Sequence, residues 1–502
     1  MTSRYRPETG RIIPPPIVKG RSPLKAAVAL LLVALALRAW DFGNPVIHVD
    51  EQYYLLVGDR MLHGALPYLD IWDRKPIGLF AIFAAIRLLP GDGIVASQIV
   101  AMLFAAATAL MVYRGARRIG AAPLAALAAG ACYLIWLPLL SGRAGQSPIF
   151  FNLFMTAAAL LTLRLPALAA REAREAILAN GAAVCLLAGL AIQTKYTPAV
   201  EGAFFGLAHL WYLRRAGGRW PMLGLAAVLW IALGLAPTLA AIGIYAARGP
   251  AAFQAFWFAN FSSILLRSNY AYPAELIGRR LLGISAQLLP FAVCAAFAWR
   301  TKPRSEETLL AFAWLGAALI GFAVLGTYFD HYALPLLAPL AIVAAPTFAR
   351  APRAMMATLA IGLAIFTIEA LARPSDAAGA YAVARVVEAN SGGECPYVFT
   401  GDSITYQLAH ACLPTAYAFP STLAYAPEQG ATGIDEAAEV RRIMAGRPPV
   451  VVMGSRPLAA WNAASHAVVA AALARDYRPI FSAPRSDYRM IVYLRRDRPL
   501  RR

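Results

Sequence analysis

The sequence predicts an all-α polytopic membrane protein carrying a small C-terminal α/β domain, and three observations lead there. Of its 502 residues 60% are hydrophobic and only 15% charged, where soluble domains average about 45–50% and about 25%; the mean hydropathy is +0.57. Apolar runs of about 20 residues, each long enough to cross a ~30 Å hydrocarbon layer, recur through the first three quarters of the chain. In the tail, Asp, Glu, Ser, Gly and Pro rise, and short β-rich runs alternate with helical stretches, the pattern of a small α/β unit.

The formal charge of +19, from 46 Lys and Arg against 27 Asp and Glu, raises nucleic acid as a partner. The positions of those charges exclude it. Arg4, Arg6, Arg11, Lys19, Arg21 and Lys25 precede the first run, and later clusters fall at Arg114/Arg117/Arg118, Arg164/Arg171/Arg174, Arg214/Arg215/Arg219, Arg300/Lys302/Arg304 and Arg350/Arg353. They flank apolar runs as cytoplasmic loops do under the positive-inside bias, and no basic stripe interleaved with aromatics is left over.

With the basic N-terminal tail 1–23 inside, a first span at 24–40 leads out, and it lacks a small-residue cleavage site, so it reads as a signal anchor. The following segment 41–75 reverses the charge sign, with Asp41, Asp50, Glu51, Asp59, Asp70 and Asp73 against Arg60, Arg74 and Lys75. The next apolar stretch, 76–90, is short and ends in Pro90-Gly91; it reads as a helix at the outer interface or partly re-entrant. Spans then follow at 93–113, 121–140, 148–163, 177–194, 198–213, 221–247, 281–299, 307–328, 333–349 and 354–372. That makes about eleven in a transmembrane domain 24–373, and the parity keeps every Arg cluster inside. It also sends the tail, 374–502, to the extracytoplasmic side of a cell inner membrane. In that tail, strands are expected at Tyr397-Val398-Phe399, Val450-Val451-Val452-Met453 and Met490-Ile491-Val492-Tyr493, with helices near 377–390, 434–445 and 457–475. Cys132, Cys185 and Cys294 lie within spans as small apolar residues; Cys395 and Cys412 share the tail, as a disulfide if it is periplasmic or as two free thiols.

Chemistry gathers in the first outer loop. His48-Val49-Asp50-Glu51-Gln52-Tyr53-Tyr54 puts two adjacent carboxylates at a membrane exit, where they need water, a cation or a polar substrate; the plainer reading is an N-capping acidic pair. The stretch Pro67-Tyr68-Leu69-Asp70-Ile71-Trp72-Asp73-Arg74-Lys75-Pro76 crowds carboxylates, an aromatic and two cations before the interfacial helix, suiting an anionic lipid headgroup and a sugar or a simple interface anchor.

This order of features resembles a known family. A first span, Asp-Glu followed by a tyrosine pair, then Gly-x-x-Pro-Tyr-x-Asp-x-Trp-Asp-x-Lys-Pro from Gly64 to Pro76, is similar to the glycosyltransferases of the GT-C fold. Within them it looks most like the dolichyl-phosphate-mannose protein mannosyltransferase superfamily, which includes bacterial aminoarabinose transferases acting on lipid A. The likeness is specific over residues 24–120, continues in topology to 372 and is loose in the tail. It implies transfer of one sugar from a polyprenyl-phosphate donor, at the outer face, to an acceptor hydroxyl on a lipid, glycan or protein. The family's pattern makes Asp50 the general base and Lys75 the partner of the departing phosphate. An inverting displacement at an anomeric carbon needs such a carboxylate on the acceptor side and a stabilised leaving group opposite it.

Other positions are assigned with less specificity. Lys195, in Gln193-Thr194-Lys195-Tyr196-Thr197-Pro198, sits at the outer end of a span, where it snorkels or binds an anion; the family often has a lysine there. His331 and Tyr332, in Phe329-Asp330-His331-Tyr332-Ala333-Leu334-Pro335, resemble the family's His-Tyr before Leu-Pro, with a helix-capping role as the alternative. Glu51, Asp70 and Asp73 complete the expected substrate-facing set. The chain departs from the family in the turn Ser141-Gly142-Arg143-Ala144-Gly145-Gln146-Ser147-Pro148, which lacks the usual carboxylate, and in Ile77, where many members have a second Pro. A divalent cation, Mg²⁺ or Mn²⁺, would therefore rest on Glu51 or Asp73 and be held largely by water. In the loop 248–280, Gln254, Trp257, Asn260, Arg267, Asn269 and Tyr270 mix aromatics with amides as sugar sites do. A transporter or lipid flippase is the rival reading, but it predicts paired polar interruptions near the membrane centre, and here the acidic clusters sit at one rim. A membrane-anchored sensor gives no reason for that crowding.

Overall fold

The computed structural model describes residues 23–267, 270–301, 304–373 and 375–501. The expected N-terminal tail, with Arg4, Arg6, Arg11, Lys19 and Arg21, lies outside the described residues, as do Asn269 and Lys302.

Helix α1 (Pro23–Arg38) is followed by α2 (Val49–Leu62) and the short α3 (Ile77–Arg87), then by α4 (Ile94–Arg118), α5 (Pro123–Leu139) and α6 (Ser147–Thr162). The chain continues through α7 (Leu165–Ala170), α8 (Arg174–Ile192), α9 (Pro198–Arg215) and α10 (Trp220–Ala247). A short α11 (Pro250–Trp257), one turn of π-helix and α12 (Ser263–Arg267) precede α13 (Ala274–Arg300), α14 (Glu306–Val324), α15 (Leu334–Arg350) and α16 (Pro352–Ala372). Prolines open many of these helices, among them α5, α9 and α16, because the first turn has no use for the missing N–H.

Among the described residues, eight helices are long and apolar enough to cross a membrane: those starting at Ile94, Ser147, Arg174, Trp220, Ala274, Glu306, Asp330 and Pro352. Each overlaps a predicted span. The other three predicted segments form α1 and α5, which are shorter, and α9, which buries Glu201 and His209. Helix α15 forms the centre, with almost every residue from Leu334 to Ala345 buried, whereas α10 exposes Leu225, Val228, Ile231 and Leu239 as a lipid-facing helix does. The segment predicted to lie short of a full crossing forms α3, with 11 residues.

The tail builds α17 (Ala377–Ser391), β1 (Tyr397–Val398), α18 (Thr405–Leu408), α19 (Pro420–Ala424), α20 (Glu436–Ala445), β2 (Val450–Gly454), α21 (Ala463–Asp476), β3 (Tyr477–Arg485) and β4 (Tyr488–Arg495). The sheet order is β1-β2-β4-β3, with β1 parallel to β2 and the other pairs antiparallel. All three predicted strands fall in this sheet. The fourth, β3, contains Pro479 and Pro484; it is one of the two edge strands, where a missing donor is tolerated, and its register shifts between Pro479 and Phe481. Cys395 and Cys412 form a disulfide with Cα atoms 4.9 Å apart.

Two glycines bring the functional segments together. A side chain at Gly58 in α2 would lie 2.6 Å from the backbone of Phe83 and Ala84, and one at Gly78 would lie 2.8 Å from the carbonyl of Gln193. Their absence lets α3 pack flush against α2 on one side and against the 193–197 turn on the other. There Leu79 N–H donates to Gln193 O at 2.9 Å, so the loop ending in Lys75 and the turn bearing Lys195 are held side by side.

Candidate active site

Asp50 lies in the first turn of α2, which His48 caps by accepting the Asp50 N–H at its Nδ1, 3.3 Å away. The cap is therefore His48 and not the acidic pair, and Asp50 remains available for chemistry. Its Oδ2 lies 3.9 Å from His48 Nδ1 and 3.9 Å from His331 Nε2, and accepts a hydrogen bond from Gln146 Nε2 at 3.3 Å. Burial alone would push this carboxyl up; Lys75, then His48, His331 and Gln146, outweigh it and hold Asp50 well below the usual carboxylate range.

Lys75 is fixed through its own backbone. Tyr68 O–H donates to Lys75 O at 2.8 Å, and Asp73 Oδ1 accepts the N–H of Arg74 and of Lys75. The ammonium sits 4.0 Å from Asp73 Oδ1 and 5.5 Å from the centre of the Tyr54 ring. Burial would lower its pKa, but Asp73 and Asp50 prevail and raise it. The tyrosine pair thus has two jobs: Tyr54 carries the ammonium on its face, and Tyr53 O–H donates to Trp72 O at 2.8 Å to hold the loop.

Lys195 stands 4.0 Å over the Tyr332 ring. Burial, reinforced by Lys75 and Arg267 and opposed by Asp50, brings its ammonium down to about 7. Lys195 and Tyr332 also line a small cavity with Thr197, Glu201, Phe322, Leu325 and Pro335, polar at the lysine end and apolar along α14. His331 packs edge-on to His48 at 5.5 Å and to Tyr332 at 4.7 Å.

Asp50, Lys75, Lys195, His331 and Tyr332 are therefore one cluster. Glu51 adjoins it but faces a second cavity with Asn44, His48, Gln52, Ser97 and Gln98; burial first, then Asp50, push its carboxyl up to about 8. Asp73 serves the loop and Lys75. Asp70 turns to its own loop, where its exposed carboxylate accepts Leu66 N–H at 2.7 Å, so the structure does not bring it to the cluster. Among the described residues no group of three or more His, Cys, Asp and Glu gathers as a cation site. Glu51 faces the cavity with Asn44 and Gln98, whereas Asp73 is engaged with the backbone of Arg74 and Lys75.

Two residues gain weight that the sequence did not give them. Gln146, in the turn noted only for its missing carboxylate, bonds both His48 Nδ1 (2.6 Å) and Asp50, while its neighbour Arg143 pairs with Asp41. Arg267, one of several polar residues noted in 248–280, lies within electrostatic reach of Asp50, Lys75, Lys195 and Tyr332 and pairs with Glu428. Asn260 is structural: it accepts from Tyr196 O–H at 2.5 Å and donates to Phe256 O.

No family model and no curated protein matches the sequence. Among solved structures, the chain is similar to ArnT from Cupriavidus metallidurans bound to undecaprenyl phosphate, with a TM-score of 0.60 and 17% identity over 94% of this chain and 97% of that one. The likeness is one of fold, and it extends through the α/β tail as well as the helical bundle.

Proposed function

We propose that this protein is an integral-membrane, inverting glycosyltransferase that moves a sugar from a polyprenyl-phosphate donor to an extracytoplasmic acceptor, lipid, glycan or protein. The observation that carries this reading is the juxtaposition of one half-buried carboxylate, Asp50, with the cations Lys75, Lys195 and Arg267. The ArnT-like fold supports it, since that relative is a polyprenyl-phosphate binder by its description.

In this reading the acceptor O–H approaches between Asp50 and the anomeric carbon. Its proton passes to Asp50 as the new C–O bond forms, and the bond from the anomeric carbon to the phosphate oxygen breaks on the opposite face. The donor is a phosphodiester with one negative charge; its departure leaves a lipid monophosphate with a second developing charge, which Lys75, Lys195 and Arg267 receive without protonating it. When the donor phosphate engages Lys75, the main influence holding Asp50 acidic is shared with a second anion. Asp50 then becomes a stronger base when a donor is in place.

The test supplies purified protein in nanodiscs with radiolabelled polyprenyl-phosphate sugars, comparing wild type with Asp50→Asn. Wild-type transfer, reduced about 10²–10⁴-fold by the substitution with folding intact, is expected. Equal transfer by the variant would remove Asp50 as the base, and substrate counterflow without product would favour a transporter or flippase. Labelling of single-Cys variants at Gly64 and Ser421 is expected from the outside only.

A further inference from the structure

We propose that Glu428, in the α/β tail, is a positioning residue for the phosphate-receiving cations, binding through one carboxylate both the segment that ends in Lys75 and the helix that ends in Arg267. The proposal rests on the functional reading above and deepens it.

Glu428 is 6% exposed and lies in the turn between α19 and α20, far in sequence from both partners. Its Oε2 pairs with Arg74 Nη1 and its Oε1 with Arg267 Nη2 at 3.1 Å. Arg74 in turn donates from Nε to Ser263 Oγ at 3.2 Å and from Nη2 to Ala431 O at 3.0 Å, with its guanidinium 4.7 Å over the Trp72 ring. Ser263 opens the short helix α12 whose last residue is Arg267, and Arg74 immediately precedes Lys75. Three chain segments, 72–75, 263–267 and 428–431, therefore converge on one buried carboxylate. Trp72 is held from the same side, its N–H donating to Ala416 O at 2.9 Å and its ring 5.5 Å from that of Tyr417.

A buried guanidinium needs a partner, and a buried carboxylate shared by two guanidinium groups couples their positions. With five N–H donors, a guanidinium bound at one edge can still meet a second anion. Glu428 thus fixes the direction of Arg267 while leaving it able to bind phosphate, and through Arg74 sets the separation of Arg267 from Lys75. Phosphate stabilisation depends on donors that are already in place when charge develops, so the α/β tail forms part of the donor site.

The experiment is a double-mutant cycle of Glu428→Gln and Arg267→Ala in full-length protein in nanodiscs. It reads both equilibrium binding of a polyprenyl monophosphate and kcat/KM for transfer. Glu428→Gln alone is expected to lower kcat/KM about tenfold, and to lower it only about twofold to threefold further when Arg267 is already Ala, because only the path through Arg74 to Lys75 then remains. Glu428→Asp keeps the charge but is one methylene shorter; expected to fold like wild type by thermal unfolding, it should follow the same non-additive pattern if Glu428→Gln proves unstable. Equal losses with and without Arg267 would overturn the proposal and leave Glu428 a structural residue. If wild type binds no polyprenyl monophosphate, the functional reading itself falls; binding by wild type with additive variants defeats the positioning role alone.

Discussion

Raising the pH is the sharpest perturbation of the cluster, because Lys195 has been brought down to about 7 by burial and by Lys75 and Arg267. Its charged form is the one that attracts a phosphate, and it is lost as pH rises through that value. If only the charged form captures donor, kcat/KM should be flat below pH 6 and fall about tenfold per unit above 7, reaching about one hundredth of its plateau at pH 9. The donor phosphodiester does not titrate in this window. Once bound, it stabilises the ammonium, so kcat should stay flat where kcat/KM falls. Steady-state transfer between pH 5.5 and 9 measures both. Lys195→Arg keeps its charge throughout and should abolish the fall that begins near 7; any remaining limb near 8 belongs to Glu51. An unchanged limb near 7 in Lys195→Arg, or a parallel fall of kcat and kcat/KM in wild type, would refute the reasoning.

Lys75→Met should raise the Asp50 pKa, since Lys75 is the main influence opposing burial there; the acid limb of kcat/KM then moves up in pH, and an unmoved limb would show that Lys75 does not act on Asp50. Gln146→Leu removes a hydrogen bond to the ionised carboxylate and to His48, so kcat should fall about 10-fold with donor KM little changed, as expected for a charged hydrogen bond worth about 1.5–3 kcal/mol. If cationic side chains supply the positive charge, as proposed, transfer should persist in EDTA; a loss restored by Mg²⁺ or Mn²⁺ would return Glu51 and Asp73 as ligands. Cys395→Ser with Cys412→Ser opens a 17-residue separation and should cost about 2–4 kcal/mol of stability, read as a lower unfolding midpoint, while a midpoint equal to wild type would mean the bridge contributes none.

The helical bundle was legible because hydrophobic length and loop charge are one-dimensional signals. The runs of α4, α8 and α10 stand out by apolar length, and the stretch 76–90 stands out as too short by its Pro90-Gly91 end and by the Arg114, Arg117 and Arg118 cluster that a crossing would place outside; it forms the 11-residue α3. Asp50 and Lys75 were legible for another reason: they belong to contiguous stretches whose residue order resembles a family's. The α/β tail was partly legible, β2 and β4 through β-branched runs; β3 was hidden by two prolines tolerated only at its edge position. Gln146 and Glu428 could not be read from the sequence, because each acts through a partner far along the chain. Asp70 shows the converse, since its motif position suggested substrate and its side chain closes a local turn.

The cost of the site is also local. Buried polar atoms without a protein partner include Glu51 Oε1, Gln52 Oε1, Tyr54 Oη and Gln146 Oε1, three from the first half of one helix and the fourth from the turn that touches Asp50. Each such atom costs about 1–3 kcal/mol when it stays unsatisfied, and folded chains tolerate that chiefly where function requires it. The amide of Gln52 is satisfied on its other side: its Nε2 donates to Asp402 Oδ1 at 3.0 Å, and Arg485 binds the same carboxylate, the Asp376 carboxylate and the carbonyl of Val46. The α/β tail therefore grips the helix bearing Asp50 through Asp402 and Arg485, and the cation-bearing segments through Glu428. These contacts all come from a unit that carries the Cys395–Cys412 disulfide, and they reach the bundle through the charged side chains of Asp402, Arg485 and Glu428.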